Sequence, residues 1–243
     1  MQKLVVGTRI HTNGGTTFPD MGLFSYWCKL ALEYADYVII ATDKQLYPLL
    51  NQMCASLKKV YLFQLNQWNS VVTPLNLIVD EAKRIKGMSL LLQSFEIFVS
   101  LKSVKVMYTH LDMDTVVVGA RLNPDHGGTP GIKPIDGLTS PWNTLALWDL
   151  NKLCLTGFQA KSVGSLNGIH GGMEEVPTIS LLQHLYPHKA QAKVVTLQDV
   201  KWNMIWNDEK RSKYHLQKMK TKRERAEIQL KYLDLPRGMV TVF

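Results

Sequence analysis

Residues 73–100, TPLNLIVDEAKRIKGMSLLLQSFEIFVS, predict a helix, a glycine stop and a buried strand. The apolar side chains of the first half share one helical face, at Leu75, Ile78, Val79, Ala82 and Ile85. Thr73 is the expected N-cap, Pro74 occupies the first helical position, and Gly87 ends the helix. The apolar run 88–92 that follows is typical of a strand covered on both faces.

The same alternation of strand and helix precedes this stretch. Strands are predicted at 4–6, 37–41 and 60–65, with helices at 21–34 and 46–57. This order favours parallel strands joined by right-handed crossovers. Each predicted strand ends in polar residues, so one rim of the sheet should gather Thr8, Arg9, Asp43, Asn66, Ser94 and Glu96. Ligands of such sheets bind beyond the carboxyl ends of the strands.

The second half of the chain is less regular. It predicts strands at 115–120 and 193–197, and Gly-rich loops at 122–140 and 164–172. Pro141 should open a helix, WNTLALWDLNKLCL, and a second helix should follow Glu174-Glu175. A long charged helix is expected from 208 to about 233. We therefore predict one domain over 1–243, with a nucleotide-binding half (1–100), an acceptor-side half (101–207) and a helical extension (208–243).

Composition restricts the class of protein. With 28 basic and 20 acidic side chains the net charge is +8, which suits an anionic ligand or surface, although solubility alone would also explain it. The three cysteines are dispersed, which favours free thiols in a reducing compartment over a disulfide framework or zinc site. No signal peptide or membrane-spanning run is apparent, so we expect a cytoplasmic protein without a transmembrane segment.

The order of predicted elements resembles the GT-A fold of nucleotide-sugar glycosyltransferases. Gly157-Phe158 followed by Glu174-Glu175 resembles the GGF…[DE]-[ED] arrangement of glycosyltransferase family two, and PLNLIVDEAKRIKGMSLLLQS is similar to the helix and strand that lead to its DxD motif. The resemblance covers Leu4 to about Leu197. It implies a GT-A-like, Rossmann-like α/β fold with a mostly parallel sheet flanked by helices. It also implies sugar transfer from a UDP- or GDP-sugar donor to a glycan or other hydroxyl acceptor, with inversion.

The position of the family's DxD motif holds Ser94-Phe95-Glu96, with one carboxylate instead of two. The resemblance therefore implies that Ser94 and Glu96 contact the donor, and that Glu96 binds Mn²⁺ or Mg²⁺ together with the donor's diphosphate. Metal-independent catalysis by cationic side chains is the alternative, and Glu96 could also be a plain loop carboxylate. A literal DxD at 112–114 precedes a strand, so we expect it to turn the chain at the opposite rim.

The resemblance assigns roles to further residues. The second acid of the pair, Glu175, would be the general base, with Glu174 beside it, and the helix start should favour their ionised form. Ordinary helix-terminal charge is the other interpretation. Asp43 would accept a hydrogen bond from the nucleobase, or would simply form a turn. Thr8 and Arg9 would contact base and phosphate, although Arg9 could equally pair with a surface carboxylate.

Three residues of the second half are candidates for the substrate. Trp142 could stack on a sugar ring and Asn143 could bond a hydroxyl, but Trp142 could equally be a core residue. Asp136 could bond donor or acceptor hydroxyls, or form a turn before Gly137.

The C-terminal helix places four cations at spacings i, i+3, i+7 and i+10, namely His215, Lys218, Lys222 and Arg225. This face borders an apolar stripe that begins at Leu216 and Met219, so His215 and Lys218 could close over a diphosphate. His215 could alternatively ligate the metal, and a solvated basic face is the plain interpretation.

Two other classes compete with sugar transfer. A nucleic-acid- or nucleotide-binding protein could use the basic helix, but no RRM, zinc-finger or helix-turn-helix pattern is present, so no nucleic acid is expected. A dehydrogenase-type Rossmann enzyme is disfavoured because GTRIHTNGG is not a G-x-G-x-x-G turn.

Overall fold

The computed structural model describes residues 3–12, 21–68, 70–162, 165–166, 169–170, 172–203 and 209–243. The strands of the described chain are β1 Leu4–Ile10, β2 Tyr37–Asp43, β3 Val60–Leu65, β4 Ser89–Gln93, β5 Ile97–Val99, β6 Thr115–Ala120, β7 Gly131–Pro134, β8 Leu145–Asp149, β9 Ser165–Leu166, β10 Ile169–His170, β11 Gln191–Val195, β12 Val200–Trp202 and β13 Met239–Val242. The α-helices are α1 Phe24–Leu32, α2 Tyr47–Cys54, α3 Val72–Arg84, α4 Leu101–His110, α5 Leu150–Leu153, α6 Glu175–Leu185, α7 Glu209–Lys220 and α8 Lys222–Tyr232. Short 3₁₀ turns lie at Met21–Leu23 and Ala160–Ser162.

One large sheet organises the described part of the chain. Its nine strands follow the order β3-β2-β1-β4-β8-β6-β11-β13-β7. The pairs among β1, β2, β3 and β4 are parallel, as are those of β11 with β6 and β13. β8 runs antiparallel between β4 and β6, and β7 is antiparallel to β13. The predicted mostly parallel α/β sheet is therefore confirmed.

Two apolar cores cover the two faces of this sheet. Val5 of β1 belongs to the core packed by α3, α5, α6 and α8, whereas Leu4 and Val6 belong to the core packed by α1, α2 and α4. The alternation follows from the period of two along a strand. Because both faces are covered, β4 and β6 are buried along their whole length. The continuous apolar sequences of these strands reflect this burial.

The organising stretch forms as predicted, but its caps differ. The helix begins at Val72, two residues before the predicted first residue Pro74, and Val71 replaces Thr73 as the N-cap. The Thr73 backbone N–H donates to Ser70 Oγ at 3.2 Å. At the other end the positive φ belongs to Lys86 (58°) instead of the expected glycine. Gly87 has a packing role, because a Cβ there would lie 2.8 Å from a methyl carbon of Val5. Close contact between helix end and strand therefore selects glycine.

The prediction of a helix that starts at Pro141 is wrong. Its central residues 145–149 form β8 instead, and only residues 150–153 are helical. Leucine and alanine favour helices intrinsically, but tertiary position overrides such preferences. Here Leu145, Ala146, Leu147 and Trp148 are all fully buried in the middle of the sheet.

The prediction of a single long C-terminal helix is also wrong. The chain forms α7 and α8, separated at Thr221. A Cβ on Gly137 would lie 2.1 Å from the Lys222 carbonyl oxygen, so the start of α8 packs directly on the backbone of the 136–138 turn. Leu216 of the predicted apolar stripe is 58 % exposed, whereas Ala226 and Leu230 are buried. Met219 also packs against this core, so only part of the predicted stripe is exposed.

Among the described residues no helix combines the length and the apolar character that crossing a bilayer requires.

Candidate active site

The polar rim lies where β1, β2, β3 and β4 end. β8 runs the opposite way, so the segment that precedes it, residues 142–144, reaches the same rim. The backbone N–H of Ser94 donates to the Thr144 carbonyl oxygen at 2.9 Å and joins the end of β4 to this segment. Two cavities open at this rim, and they share the end of β1 as a border.

The first cavity, which we call the β1–β3 cavity, has a volume of about 410 Å³. Its lining consists of His11, Thr12, Asp43, Lys44, Gln45, Leu65, Asn66 and Trp68. The rings of His11 and Trp68 contact each other, with centroids 4.4 Å apart. Asp43 and Asn66, which were expected to lie together, line this cavity.

The Asp43 carboxylate is held by the protein itself. Oδ2 accepts from the Thr12 backbone N–H at 2.7 Å and from the Thr12 hydroxyl at 2.9 Å, and Oδ1 accepts from the Leu46 N–H at 2.9 Å. Burial opposes ionisation, but these hydrogen bonds outweigh it and lower the pKa of Asp43. Asp43 therefore fixes the end of β1 to the start of α2, which includes the turn role left open by the sequence.

The second cavity, which we call the glutamate cavity, is smaller, at about 110 Å³. Its lining consists of Arg9, Val71, Trp142, Asn143, Thr144, Gly172, Met173, Glu174, Glu175, Lys218, Lys222 and Arg225. Five parts of the chain that are distant in sequence thus meet here: β1, the start of α3, the segment before β8, the start of α6, and the α7–α8 pair. Four cations face two carboxylates among these lining residues.

Glu174 is the anchored member of the acidic pair. Its Oε1 accepts from Arg9 Nη2 at 3.3 Å and from Asn143 Nδ2 at 3.4 Å, and the residue is buried. Burial alone would raise the pKa of this carboxyl, but the charge of Arg9 and the amide of Asn143 lower it. Glu174 is therefore held ionised, and Arg9 has the carboxylate partner that the sequence left open.

Glu175 lies in the same cavity but differs electrostatically. Burial and the neighbouring Glu174 charge together raise its pKa to about 7, against the opposing effects of Lys222 and Arg225. Burial and the Glu174 charge thus disfavour the ionised form of Glu175, whereas the sequence led us to expect that the helix start would favour it. The two adjacent acids have pKa values shifted in opposite directions, a pattern typical of functional sites.

The basic face predicted for the C-terminal helix meets this cavity. Lys218, Lys222 and Arg225 all line it, whereas the side chain of His215 lies outside the part of the chain that the structure describes. Burial lowers the pKa of Lys218, as do the charges of Arg225 and Arg9. Burial likewise lowers the pKa of Lys222, to about 7, while Glu175 opposes the shift. Lys222 and Arg225 were not among the predicted site residues, although their spacing with Lys218 was the available signal.

Trp142 is held on all sides. Its ring stacks on His126 at a centroid distance of 3.7 Å, its indole N–H donates to the Gly137 carbonyl at 2.9 Å, and Lys222 Nζ lies 3.1 Å from the ring centroid. With 1 % exposure, the ring presents no open face to a sugar. The core interpretation describes it better. Asn143 remains at the cavity, where Oδ1 accepts from the Trp148 indole at 3.0 Å.

Two further predicted site residues, Thr8 and Asp136, lie apart from both cavities. β1 extends through Ile10, so Thr8 and Arg9 belong to the strand instead of following it. Thr8 is buried, and by the alternation along β1 it lies on the face of the sheet that α1 and α2 cover. Asp136 forms a turn, because its Oδ1 accepts from the backbone N–H groups of Leu138 and Thr139, and it pairs with Arg223 at 3.4 Å.

Ser94 and Glu96 form the turn after β4, as predicted, but neither lines the two cavities. The Glu96 carbonyl accepts from the Asn203 N–H at 2.9 Å. Within the described residues, no group of three or more His, Cys, Asp or Glu side chains could hold a metal ion. Glu96 thus offers a single carboxylate, and this donor set does not fit a metal held by protein ligands.

Known proteins share the fold but not the sequence. No family model matches the chain, and no curated protein does. Among solved structures, the mannosyltransferase PcManGT from Pyrobaculum calidifontis in complex with GDP-Man and Mn²⁺ is similar at a TM-score of 0.56 and 12 % identity, over 81 % of this chain and 55 % of that one. The structure of GalNAc-T7 with UDP, GalNAc and Mn²⁺ is similar at a TM-score of 0.52 and 10 % identity, over 73 % of this chain and 39 % of that one.

A third similar structure is 4-diphosphocytidyl-2C-methyl-D-erythritol synthase from Anaerococcus prevotii, with a TM-score of 0.52 and 10 % identity over 89 % of this chain and 96 % of that one. The chain spans about half the length of PcManGT. At these identities the comparison establishes the fold. The protein has the GT-A fold of nucleotide-sugar glycosyltransferases, as the resemblance implied.

Proposed function

We propose that the protein transfers a sugar from a nucleotide-diphosphate donor to a hydroxyl acceptor, with inversion at the anomeric carbon. The observation that carries the proposal is the glutamate cavity, where a buried acidic pair with divergent pKa values meets Arg9 and Lys218 at the rim of a GT-A sheet. UDP- or GDP-sugars are the expected donors, since GDP-Man and UDP accompany two of the similar structures.

The nucleoside belongs in the β1–β3 cavity. Its volume of about 410 Å³ suits a nucleoside, and Trp68 supplies an aromatic surface for a base. Because Asp43 is saturated by Thr12 and Leu46, it shapes this cavity and Asn66 is better placed to bond the base. The border formed by Arg9, His11 and Thr12 then leads the diphosphate towards the glutamate cavity.

Glu175 is the proposed general base. Its carboxylate takes the proton of the acceptor hydroxyl as the acceptor oxygen bonds to the anomeric carbon. The bond between that carbon and the diphosphate oxygen breaks, and the nucleoside diphosphate leaves with the electron pair. A pKa near 7 suits a general base at neutral pH. A substantial fraction of the carboxyl is then ionised, and the carboxylate is basic enough to take the acceptor proton.

The cations act on the leaving group. Arg9 and Lys218 lie in the same cavity as Glu175, and positioned cations stabilise negative charge that develops in a transition state. Glu174 keeps Arg9 in place through its 3.3 Å contact. The single carboxylate of Glu96 lines neither cavity and does not fit a metal held by protein ligands, so the proposal rests on the cationic side chains.

The nucleic-acid alternative loses its main argument. The cations that would carry it, Lys218, Lys222 and Arg225, line a cavity beside the acidic pair instead of an outward basic surface. A second enzymatic candidate is nucleotidyl transfer, since the similar synthase from Anaerococcus prevotii covers nearly the whole chain and is named for a diphosphocytidyl product. Release of pyrophosphate from nucleoside triphosphates would identify that reaction.

The decisive experiment replaces Glu175 by Gln. We screen UDP- and GDP-sugars by thermal shift, then measure transfer and donor dissociation constants for the wild type and Glu175→Gln. Loss of the base should lower turnover by about 10²–10⁴-fold while donor binding persists. Asp112→Asn, an acid at the opposite rim, is the matched control and should retain turnover. Near-normal turnover of Glu175→Gln would refute the assigned base, and absence of donor binding in the wild type would refute the function.

A further inference from the structure

Arg225 is the buried cation of the glutamate cavity that no reaction step uses. It is 3 % exposed, and two of its three guanidinium nitrogens donate to backbone carbonyls. Nη1 donates to the Gly172 carbonyl at 2.7 Å and Nη2 donates to the Lys218 carbonyl at 2.7 Å. Its Nε donates to Thr221 Oγ1 at 3.3 Å. One guanidinium thus bonds three groups on two segments of the chain, residue 172 and residues 218–221.

Each of these contacts lies next to a residue with a proposed role. Gly172 stands two residues before Glu174, and the Lys218 carbonyl belongs to the cation proposed for the leaving group. Thr221 marks the point where α7 ends and α8 begins. A planar guanidinium with several fixed donors can bridge such groups, which the single nitrogen of lysine cannot do.

A second residue of α8 holds the same segment. Gln229 lies one helical turn after Arg225 and is 1 % exposed. Its Oε1 accepts from the Met173 backbone N–H at 3.2 Å, so consecutive residues, Gly172 and Met173, are bonded to one face of α8. The peptide that leads into the acidic pair is therefore fixed by side chains that lie more than fifty residues later in the sequence.

α8 is itself fixed against the rest of the protein. Its first residue packs on Gly137, Lys222 covers Trp142, and Arg223 pairs with Asp136. At its other end Ala226 and Leu230 belong to the core shared with α6. Because α8 packs on the core and also bonds residues 172–173, it can fix the position of the acidic pair relative to the core.

We propose that Arg225 and Gln229 are positioning residues, which hold the backbone of residues 172–173 so that Glu175 faces the acceptor, while Arg225 also holds Lys218 towards the donor diphosphate. The inference rests on the proposed function for its catalytic consequence, but the positioning of residues 172–176 can be measured without activity. The two residues differ in what they hold, and this difference makes the inference testable.

The test compares Gln229→Met, Arg225→Lys and the control Lys231→Gln, which changes an exposed cation on the same helix. Hydrogen exchange of residues 172–176 should become about tenfold faster in both test variants, since each removes a bond to this peptide. Exchange in the central strands should stay unchanged in all three. Unchanged exchange at residues 172–176 in Gln229→Met would overturn the inference, even if Arg225→Lys fails to fold.

Kinetics separate the two roles. Gln229→Met should lower kcat about tenfold with the donor dissociation constant within about twofold of the wild type, because only the acidic pair is released. Arg225→Lys should lower kcat and also weaken donor binding about tenfold, because Lys218 is released as well. Equal loss of donor binding in both variants would contradict the assignment of the Lys218 contact to Arg225 alone. If the wild type binds no donor, the proposed function is refuted. The hydrogen-exchange result then still tests whether Arg225 and Gln229 position residues 172–176.

Discussion

Two acidic clusters lie at opposite rims of the central sheet, and both contact cations. At the start of β6, Asp112 accepts from the Asp114 N–H and the Thr115 hydroxyl and pairs with Lys193 at 2.6 Å. At the carboxyl-end rim, Glu174 contacts Arg9 beside Glu175. The Asp112 side chain is 55 % exposed, whereas that of Glu174 is 7 % exposed.

The difference shows why the direction of a strand is more informative than a motif. Residues 112–114 match the DxD pattern literally, but they precede their strand and form a turn, as the sequence predicted. The pKa of Asp112 is lowered to about 2, because hydrogen bonds from Lys193 and Thr115 outweigh burial. At the other rim, burial raises the pKa of both adjacent acids, but Arg9 lowers that of Glu174 while the Glu174 charge further raises that of Glu175, so the two pKa values lie apart. The first arrangement stabilises a turn, and the second can exchange a proton.

The largest expected effect after loss of Glu175 comes from its neighbour. Glu174→Gln removes a negative charge that raises the pKa of Glu175, so the rising limb of log(kcat/KM) against pH should move below 7. The rate at its plateau should fall by about tenfold or more, because Arg9 loses its partner and the base becomes weaker. A pH series from 5 to 9 tests this. A limb that stays in place, or that moves to higher pH, would show that the two acids do not interact as described.

A cation at each rim provides the next comparison. Lys218→Met should weaken donor binding by about tenfold, since a charged hydrogen bond to phosphate is lost. Lys193→Met removes a cation bonded to Asp112 and to the His110 carbonyl at the other rim, and donor affinity should not change. Isothermal titration with the donor measures both. Equal weakening in the two variants would indicate a general effect of net charge.

The smallest effect concerns stability. Asp112→Asn should lower the free energy of unfolding by about 1 kcal/mol at pH 7, because the pair with Lys193 is partly screened by solvent. The folded-state pKa is depressed, so the contribution is present above pH 3.8 and is lost as the pH falls towards 2. Urea titrations at pH 7 and pH 3 should therefore show a difference that shrinks at the lower pH. An equal or larger difference at pH 3 would contradict the assignment.

Local patterns in the sequence were sufficient for much of the fold. The parallel strands of the first half, the helix–strand stretch from Val72 to Gln93, and the side of the sheet on which Asp43 and Asn66 lie all follow from apolar runs that end in polar residues. The spacing of Lys218, Lys222 and Arg225 predicted a shared face, and this face meets the cavity.

What the sequence did not predict depends on distant neighbours. β8 consists of helix-forming residues that become a strand only because β4 and β6 lie on either side of them. The break at Thr221 arises where α8 meets the backbone of Gly137. The raised pKa of Glu175 depends on burial in a cavity lined by five parts of the chain, which no local pattern contains.

The short connection after α8 has a consequence for protein engineering. α8 ends at Tyr232, and β13 begins at Met239 and is inserted between β11 and β7. The cation-bearing helix and a strand of the central sheet are therefore neighbours in the chain as well as in space. A chimaera that exchanges the helices alone would join a foreign helix to a native strand across six residues, so the transferable module is residues 209–243 as a whole.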